Sequence, residues 1–221
     1  MDVTARRLAA EFIGTAFLLI GVVGSGIAGA ALSGGNDGLA LLANAIATGC
    51  ILYVIILTLG PLSGAHFNPA VTLFFALGRQ IGAGLALAYV AAQVAGGITG
   101  VWLTHLIYDL PLLQFSTTDR TGGPQWLSEG VATFGLLFVI VGGLKARADA
   151  VPTLVALYIT GAYWFTSSTS FANPAVTIAR ALTDTFAGIN PSHVPLFIAA
   201  QVGATLLALP MLRWLFAEDG T

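Results

Sequence analysis

Charge is what this sequence has least of. Eight basic and ten acidic side chains make up 8% of 221 residues, where a typical soluble domain is about a quarter charged. So few charges cannot cover the surface of a water-soluble globule of this length. The formal net charge of −2 offers no basic footprint for nucleic acid, which removes that partner class. One cysteine, Cys50, excludes an intrachain disulfide framework and any multi-thiolate metal site. Three histidines and scattered acids form no cluster that could run metal or acid–base chemistry, so neither an enzyme, a metal nor a cofactor is expected.

What is present is apolar. Hydrophobic residues make up 57% of the chain and the mean hydropathy is +0.89, which points to a lipid bilayer as the solvent. A helix needs about 20 residues to cross about 30 Å of hydrocarbon. Runs of roughly suitable length are 8–32, 39–59, 81–107, 126–144, 151–165 and 194–212. The first has no cleavage signature and is too long for a signal peptide core, so it reads as a mature span. Trp102, Trp126 and Trp214 fall near predicted ends, where interfacial aromatics gather.

Two apolar pieces, 68–77 and 173–182, are only about half a membrane long, and both open with Asn-Pro-Ala-Val-Thr. Other echoes follow in the same order. Glu11 and Thr15 of the first span match Glu129 and Thr133 of the fourth; Ala91-Ala92-Gln93-Val94 matches Ala199-Ala200-Gln201-Val202. The chain therefore reads as one all-α channel domain over 1–221 made of two units, about 1–115 and about 116–221. Each holds three spans and a half-helix. Three is odd, so the second unit enters the membrane inverted. Arg6, Arg7, Arg79, Lys145, Arg147 and Arg213 then share one side against Arg120 and Arg180 on the other, which predicts cytoplasmic termini.

Inversion brings the half-helices together at the midplane, N-terminus to N-terminus. Asparagine is a favoured N-cap and proline is favoured at the next position, so Asn68-Pro69-Ala70 and Asn173-Pro174-Ala175 start the two helices there. Each end presents about half a positive charge. The pair repels cations and favours neutral solutes that accept hydrogen bonds, with side-chain amide donors free to face them.

Paired Asn-Pro-Ala motifs on inverted repeats, with Ser63-Gly64-Ala65-His66-Phe67 before the first, resemble the major intrinsic protein family of aquaporins and aquaglyceroporins. The resemblance covers essentially the whole chain. It implies six spans plus two re-entrant half-helices, a homotetramer with one pore per subunit, and passive passage of small neutral solutes through the lipid bilayer. It also carries over a selectivity filter. Twenty before Asn68, where water-specific members are usually aromatic, stands Thr48; twelve before Asn173, often His, stands Gly161. Ser170 would line the pore through its backbone carbonyl, and Val176 replaces the family's near-universal Arg. Gly64, Ala65, His66 and Thr169 are further pore-lining candidates, and Glu11 and Glu129 would support the re-entrant loops.

The departure at Val176 resembles a bacterial subgroup linked to arsenic, which implies a bacterial inner membrane. It suggests a wide, mildly polar ring passing glycerol-like polyols, metalloid hydroxides such as arsenite, methylated arsenicals and water. Arg180, one turn beyond Val176, either lines the outer vestibule and partly replaces the missing charge or pairs within its loop, with Asp184 as candidate partner. A small buried role is expected for Cys50, and loop or helix contacts for Gln93 and Gln201. The competing readings are a secondary transporter, for which Glu11 and Glu129 would be coupling acids, and a water-selective pore.

Overall fold

A computed structural model of the protein describes residues 3–217. Eight α-helices follow in order: α1 Val3–Leu32, α2 Asp37–Ser63, α3 Pro69–Leu77, α4 Ala83–Ile107, α5 Gly123–Ala146, α6 Val151–Phe165, α7 Pro174–Arg180 and α8 Val194–Leu215. Single 3-10 turns at Ala148–Ala150 and Pro191–His193 lead into α6 and α8, and no strand occurs among the described residues. Five helices are long and apolar enough to cross a bilayer. The sixth, α6, has 15 residues, about 22 Å of helix, and gains the turn before it. The short α3 and α7 are the half-helices; α7 ends at Arg180, two residues before the sequence pattern suggests.

Small residues set how closely the long helices approach. A Cβ at Gly96 or Gly100 of α4 would collide with the carbonyls of Phe12 and Ala16 in α1, so only glycine lets these backbones touch. The half-helices cross between the two units: α3 packs on α8, and α7 packs on α4. Outward, Leu57, Leu87, Leu127, Leu157, Leu207 and Trp214 are exposed, an apolar coat suited to lipid rather than water. Cys50 belongs to this coat. It is exposed, not buried as expected, because its face of α2 points away from the bundle.

The interior reverses the usual pattern of a soluble core, since Glu11, Gln93, Glu129 and Gln201 are completely buried. A buried carboxylate is tolerable only if its lone pairs are used, and both are heavily used. Glu11 accepts from the Ser63 hydroxyl at 2.6 Å, the backbone N–H groups of His66 and Phe67 at 3.0 and 2.7 Å, and Gln93 Nε2 at 2.8 Å. Glu129 repeats the arrangement in the second unit. It accepts from the N–H groups of Phe171 and Ala172, both at 2.8 Å, and from Gln201 Nε2 at 2.7 Å. Gln93 and Gln201 also donate to Thr72 and Thr177 on the half-helices, each at 2.9 Å. Both fully buried carboxylates among the described residues are thus committed to holding a loop, which leaves neither free for ion coupling.

Candidate functional site: a pore between the half-helices

The loops held by these carboxylates carry strained backbone. Ala65 and Phe67 before α3, and Thr169, Ser170 and Ala172 before α7, all have φ between 48° and 63°, a left-handed region that side chains other than Asn, Asp and Gly rarely occupy. Gly64, at φ 87°, ends α2 and starts the first of these loops. The strain turns successive N–H groups toward one carboxylate and aims the chain into each half-helix.

At the centre the two asparagines act as caps. Asn68 Oδ1 accepts from Ala70 N at 2.8 Å, and Asn173 Oδ1 accepts from Ala175 N and Val176 N at 2.9 and 3.2 Å. Pro69 and Pro174 occupy the first helical position, where no N–H is needed. The amide nitrogens are less free than the sequence suggests. Asn68 Nδ2 donates to the Ala172 carbonyl at 2.7 Å, and Asn173 Nδ2 donates to the Phe67 carbonyl at 2.8 Å. One N–H of each side chain therefore ties its loop to the other loop, and one remains for a solute.

Both asparagines line a cavity of about 480 Å³ that runs between the units. Gly64, Ala65 and His66 line it on one side of the motifs. His66 is fixed there by Nδ1 at 3.1 Å from Thr72 Oγ1, and its ring stacks on Phe75 with centroids 4.9 Å apart. Thr48, Ser170, Val176 and Arg180 also line the cavity. Arg180 does not pair with Asp184, which accepts instead from the N–H and hydroxyl of Thr117 at 2.8 and 3.0 Å.

Gly161 and Thr169 are placed elsewhere. Gly161 is exposed on the far side of α6, while Val151, Val155, Ile159 and Tyr163, spaced four apart, turn to the cavity. Two residues is about 200° of helix, so the wall residue stands ten, not twelve, before Asn173. The correction matters because a tyrosine occupies the place assigned to a glycine. Its hydroxyl lies 3.1 Å from Thr48 Oγ1 across the cavity wall. Thr169 is half-buried beside the cavity without lining it. Ser170 Oγ, by contrast, is buried with no partner among the described residues. The cavity wall before α7 therefore carries the paired hydroxyls of Thr48 and Tyr163, together with Ser170, whose own hydroxyl is buried, and the apolar Val176. Tyr163 was legible in the sequence only through the four-residue spacing of apolar residues along α6.

Two half-helices meeting end to end in a cavity between crossing helices define a membrane channel of the inverted-repeat kind. A family model described as major intrinsic protein matches residues 2–170, and the chain belongs to that family. It is an integral, multi-pass membrane protein and a passive channel, not an enzyme. An aquaglyceroporin, AqpS of Rhizobium meliloti strain 1021, is 56% identical over 210 residues, covering 95% of this chain and 90% of that protein. Aquaporin Z of Bradyrhizobium diazoefficiens is 29% identical over 228 residues, covering 96% and 94%. The X-ray structure of the aquaglyceroporin from Plasmodium falciparum shares the fold, with a TM-score of 0.79 at 19% identity over 96% of this chain and 97% of that one.

Proposed function

We propose that this pore passes neutral hydroxylated solutes of about glycerol size, namely polyols, metalloid hydroxides such as arsenous acid, and methylated arsenicals, together with water. The observation that carries the reading is Val176, which lines the cavity where the family's arginine would fill it. Arginine brings a planar cation with five donors; valine brings an apolar wall. On the same cavity, the hydroxyls of Thr48 and Tyr163 can each donate and accept. A polyol or As(OH)₃ presents the same pattern of hydroxyls and bare surface. Asn68 and Asn173 then hand the solute across the midplane with their remaining N–H groups. The aquaglyceroporin name of the relative at 56% identity supports a solute pore over a water-selective one. The coupled-transporter alternative lacks a free acid: Glu11 and Glu129 are occupied by loop donors.

The test is stopped-flow light scattering on proteoliposomes, comparing water, glycerol, urea and arsenite. Flux should rise linearly with solute concentration, independent of any ion gradient, and glycerol and arsenite should far exceed protein-free vesicles. Water flux alone would defeat the solute reading, and saturable, gradient-driven uptake would defeat the channel reading.

The same reading makes 1–221 one channel domain of two inverted units, assembled as a homotetramer in a bacterial inner membrane with both termini cytoplasmic. Asp119→Cys, between α4 and α5, should label with an impermeant thiol reagent added outside intact cells, with Cys50 replaced by Ser. Asp149→Cys, between α5 and α6, should label only after lysis. The reverse pattern overturns the orientation.

A further inference from the structure

Although Val176 leaves the ring without a cation, two guanidinium groups stand in the same part of the molecule. Side chains on a helix lean toward its N-terminus. Arg180, one turn beyond Val176 on α7, therefore reaches back toward the loop that precedes the helix. Its Cζ lies 3.4 Å from the centroid of the Phe171 ring, Nε donates to the Ala187 carbonyl, and the buried side chain lines the cavity together with Ser170 and Val176. A second guanidinium arrives from the connection between α4 and α5. Arg120 Nε donates to the Gly188 carbonyl at 2.8 Å, its terminal nitrogens donate to the Ser168 and Phe186 carbonyls at 3.4 Å, and its Cζ is 5.4 Å from the same Phe171 ring.

The hydrogen bonds of both groups go to carbonyls, and a shared aromatic ring does the rest. Among the described residues neither forms an ion pair with a carboxylate. Among the described residues the groups that favour their charge are the Tyr163 phenol and one carboxyl, Glu129, and Glu129 is engaged by the N–H groups of Phe171 and Ala172 and by Gln201. Two cations against one carboxyl leave net positive charge where the cavity leaves the half-helices. Carbonyl and π partners hold guanidinium groups in place without cancelling their charge.

We propose that Arg180, backed by Arg120, is a second cation-excluding element of this pore beside the half-helix ends: the charge absent at Val176 is supplied from one turn further along α7. Size and charge selection are thereby separated. The ring keeps its hydroxyls and its apolar wall, while cations and hydronium meet a fixed field that neutral solutes do not feel.

This rests on the reading of the cavity as a solute pore, and the experiment scores the two separately. Full-length protein in liposomes is assayed for glycerol flux and, in the same preparation, for sodium and proton leak under an imposed potential. Wild type should pass glycerol with ion leak at the protein-free background; no glycerol flux would defeat the pore reading itself. Arg180→Gln should raise ion leak about tenfold or more, as loss of a unit charge at close range in a low dielectric predicts, and Arg180→Lys, which keeps a cation but not the plane stacked on Phe171, should leak less than Arg180→Gln. Adding Val176→Arg to Arg180→Gln should return the leak to background, an effect that repair of a purely structural defect would not give. Background leak in a glycerol-conducting Arg180→Gln, or a leak that Val176→Arg does not suppress, overturns the proposal. If Arg180→Gln fails to assemble, Arg120→Gln carries the test: a rise of about threefold supports the shared field, and background leak with glycerol flux retained overturns it.

Discussion

Val176→Arg is expected to lower the ratio of glycerol to water permeability by on the order of tenfold, equivalent to about 1.4 kcal/mol of added barrier for the larger solute. The new guanidinium would enter the cavity opposite the Thr48 and Tyr163 hydroxyls. It would remove the apolar wall along which the carbon side of a polyol passes. Arg180 raises the effect, since its guanidinium already lies over the Phe171 ring beside the cavity and like charges repel. The added group is thus driven into the lumen rather than onto the wall. Water is small and exchanges one hydrogen-bond partner for another, so its flux should change much less. Both permeabilities are measured on equal amounts of reconstituted, monodisperse protein. An unchanged ratio would mean that residue 176 does not set the width, and Tyr163 would then be the residue that does.

Glu129→Leu should prevent the channel from assembling. The leucine leaves the N–H groups of Phe171 and Ala172 and one Gln201 N–H without an acceptor in a site closed to water. Each orphaned donor costs about 1–3 kcal/mol, and the sum is comparable with the whole stability of a typical fold, about 5–15 kcal/mol. Of the residues that lose support, Ala172 is already in left-handed backbone, as are Thr169 and Ser170 just before it, so the loop is held against strain. Glu129→Gln keeps one acceptor oxygen and should yield a folded but less heat-stable protein. Size-exclusion profiles in detergent after a heating series check both, and a Glu129→Leu profile as sharp and heat-resistant as wild type would refute the bracing role. Glu11→Leu should behave alike, with Ser63, His66 and Phe67 as the stranded donors.

Much of this architecture is legible in the residues because the bilayer restricts the choices. Long apolar runs can only be spanning helices, and an Asn-Pro start on a run of half that length can only be a helix that begins inside the membrane. The paired glutamates and glutamines announced their role by recurring in order. What escaped the sequence depends on angles rather than on order. Gly161 and Tyr163 differ by two positions, and which one faces the cavity follows from how many residues the loop to Asn173 consumes, a quantity set by the left-handed turns at Thr169, Ser170 and Ala172. Cys50 could be placed off the pore, yet whether it met a neighbouring helix or the lipid depended on packing that α2 alone does not encode. The direction of Arg180 was equally hidden, because its carbonyl partner Ala187 lies in a loop without periodic pattern.

The exchange of bonds between Asn68 and the Ala172 carbonyl, and between Asn173 and the Phe67 carbonyl, has a consequence for how the protein is made. Synthesis runs from the N-terminus, so the first re-entrant loop is in the membrane while residue 172 is still unbuilt. Until then the Asn68 amide and the Phe67 carbonyl lack the groups that will satisfy them, and exposed polar groups in hydrocarbon are costly. The first loop must therefore wait in a wetter or unfinished position and settle only when the second arrives. Maturation of the two halves becomes a single late event, and a ribosome-released half chain is a substrate for quality control rather than half a channel.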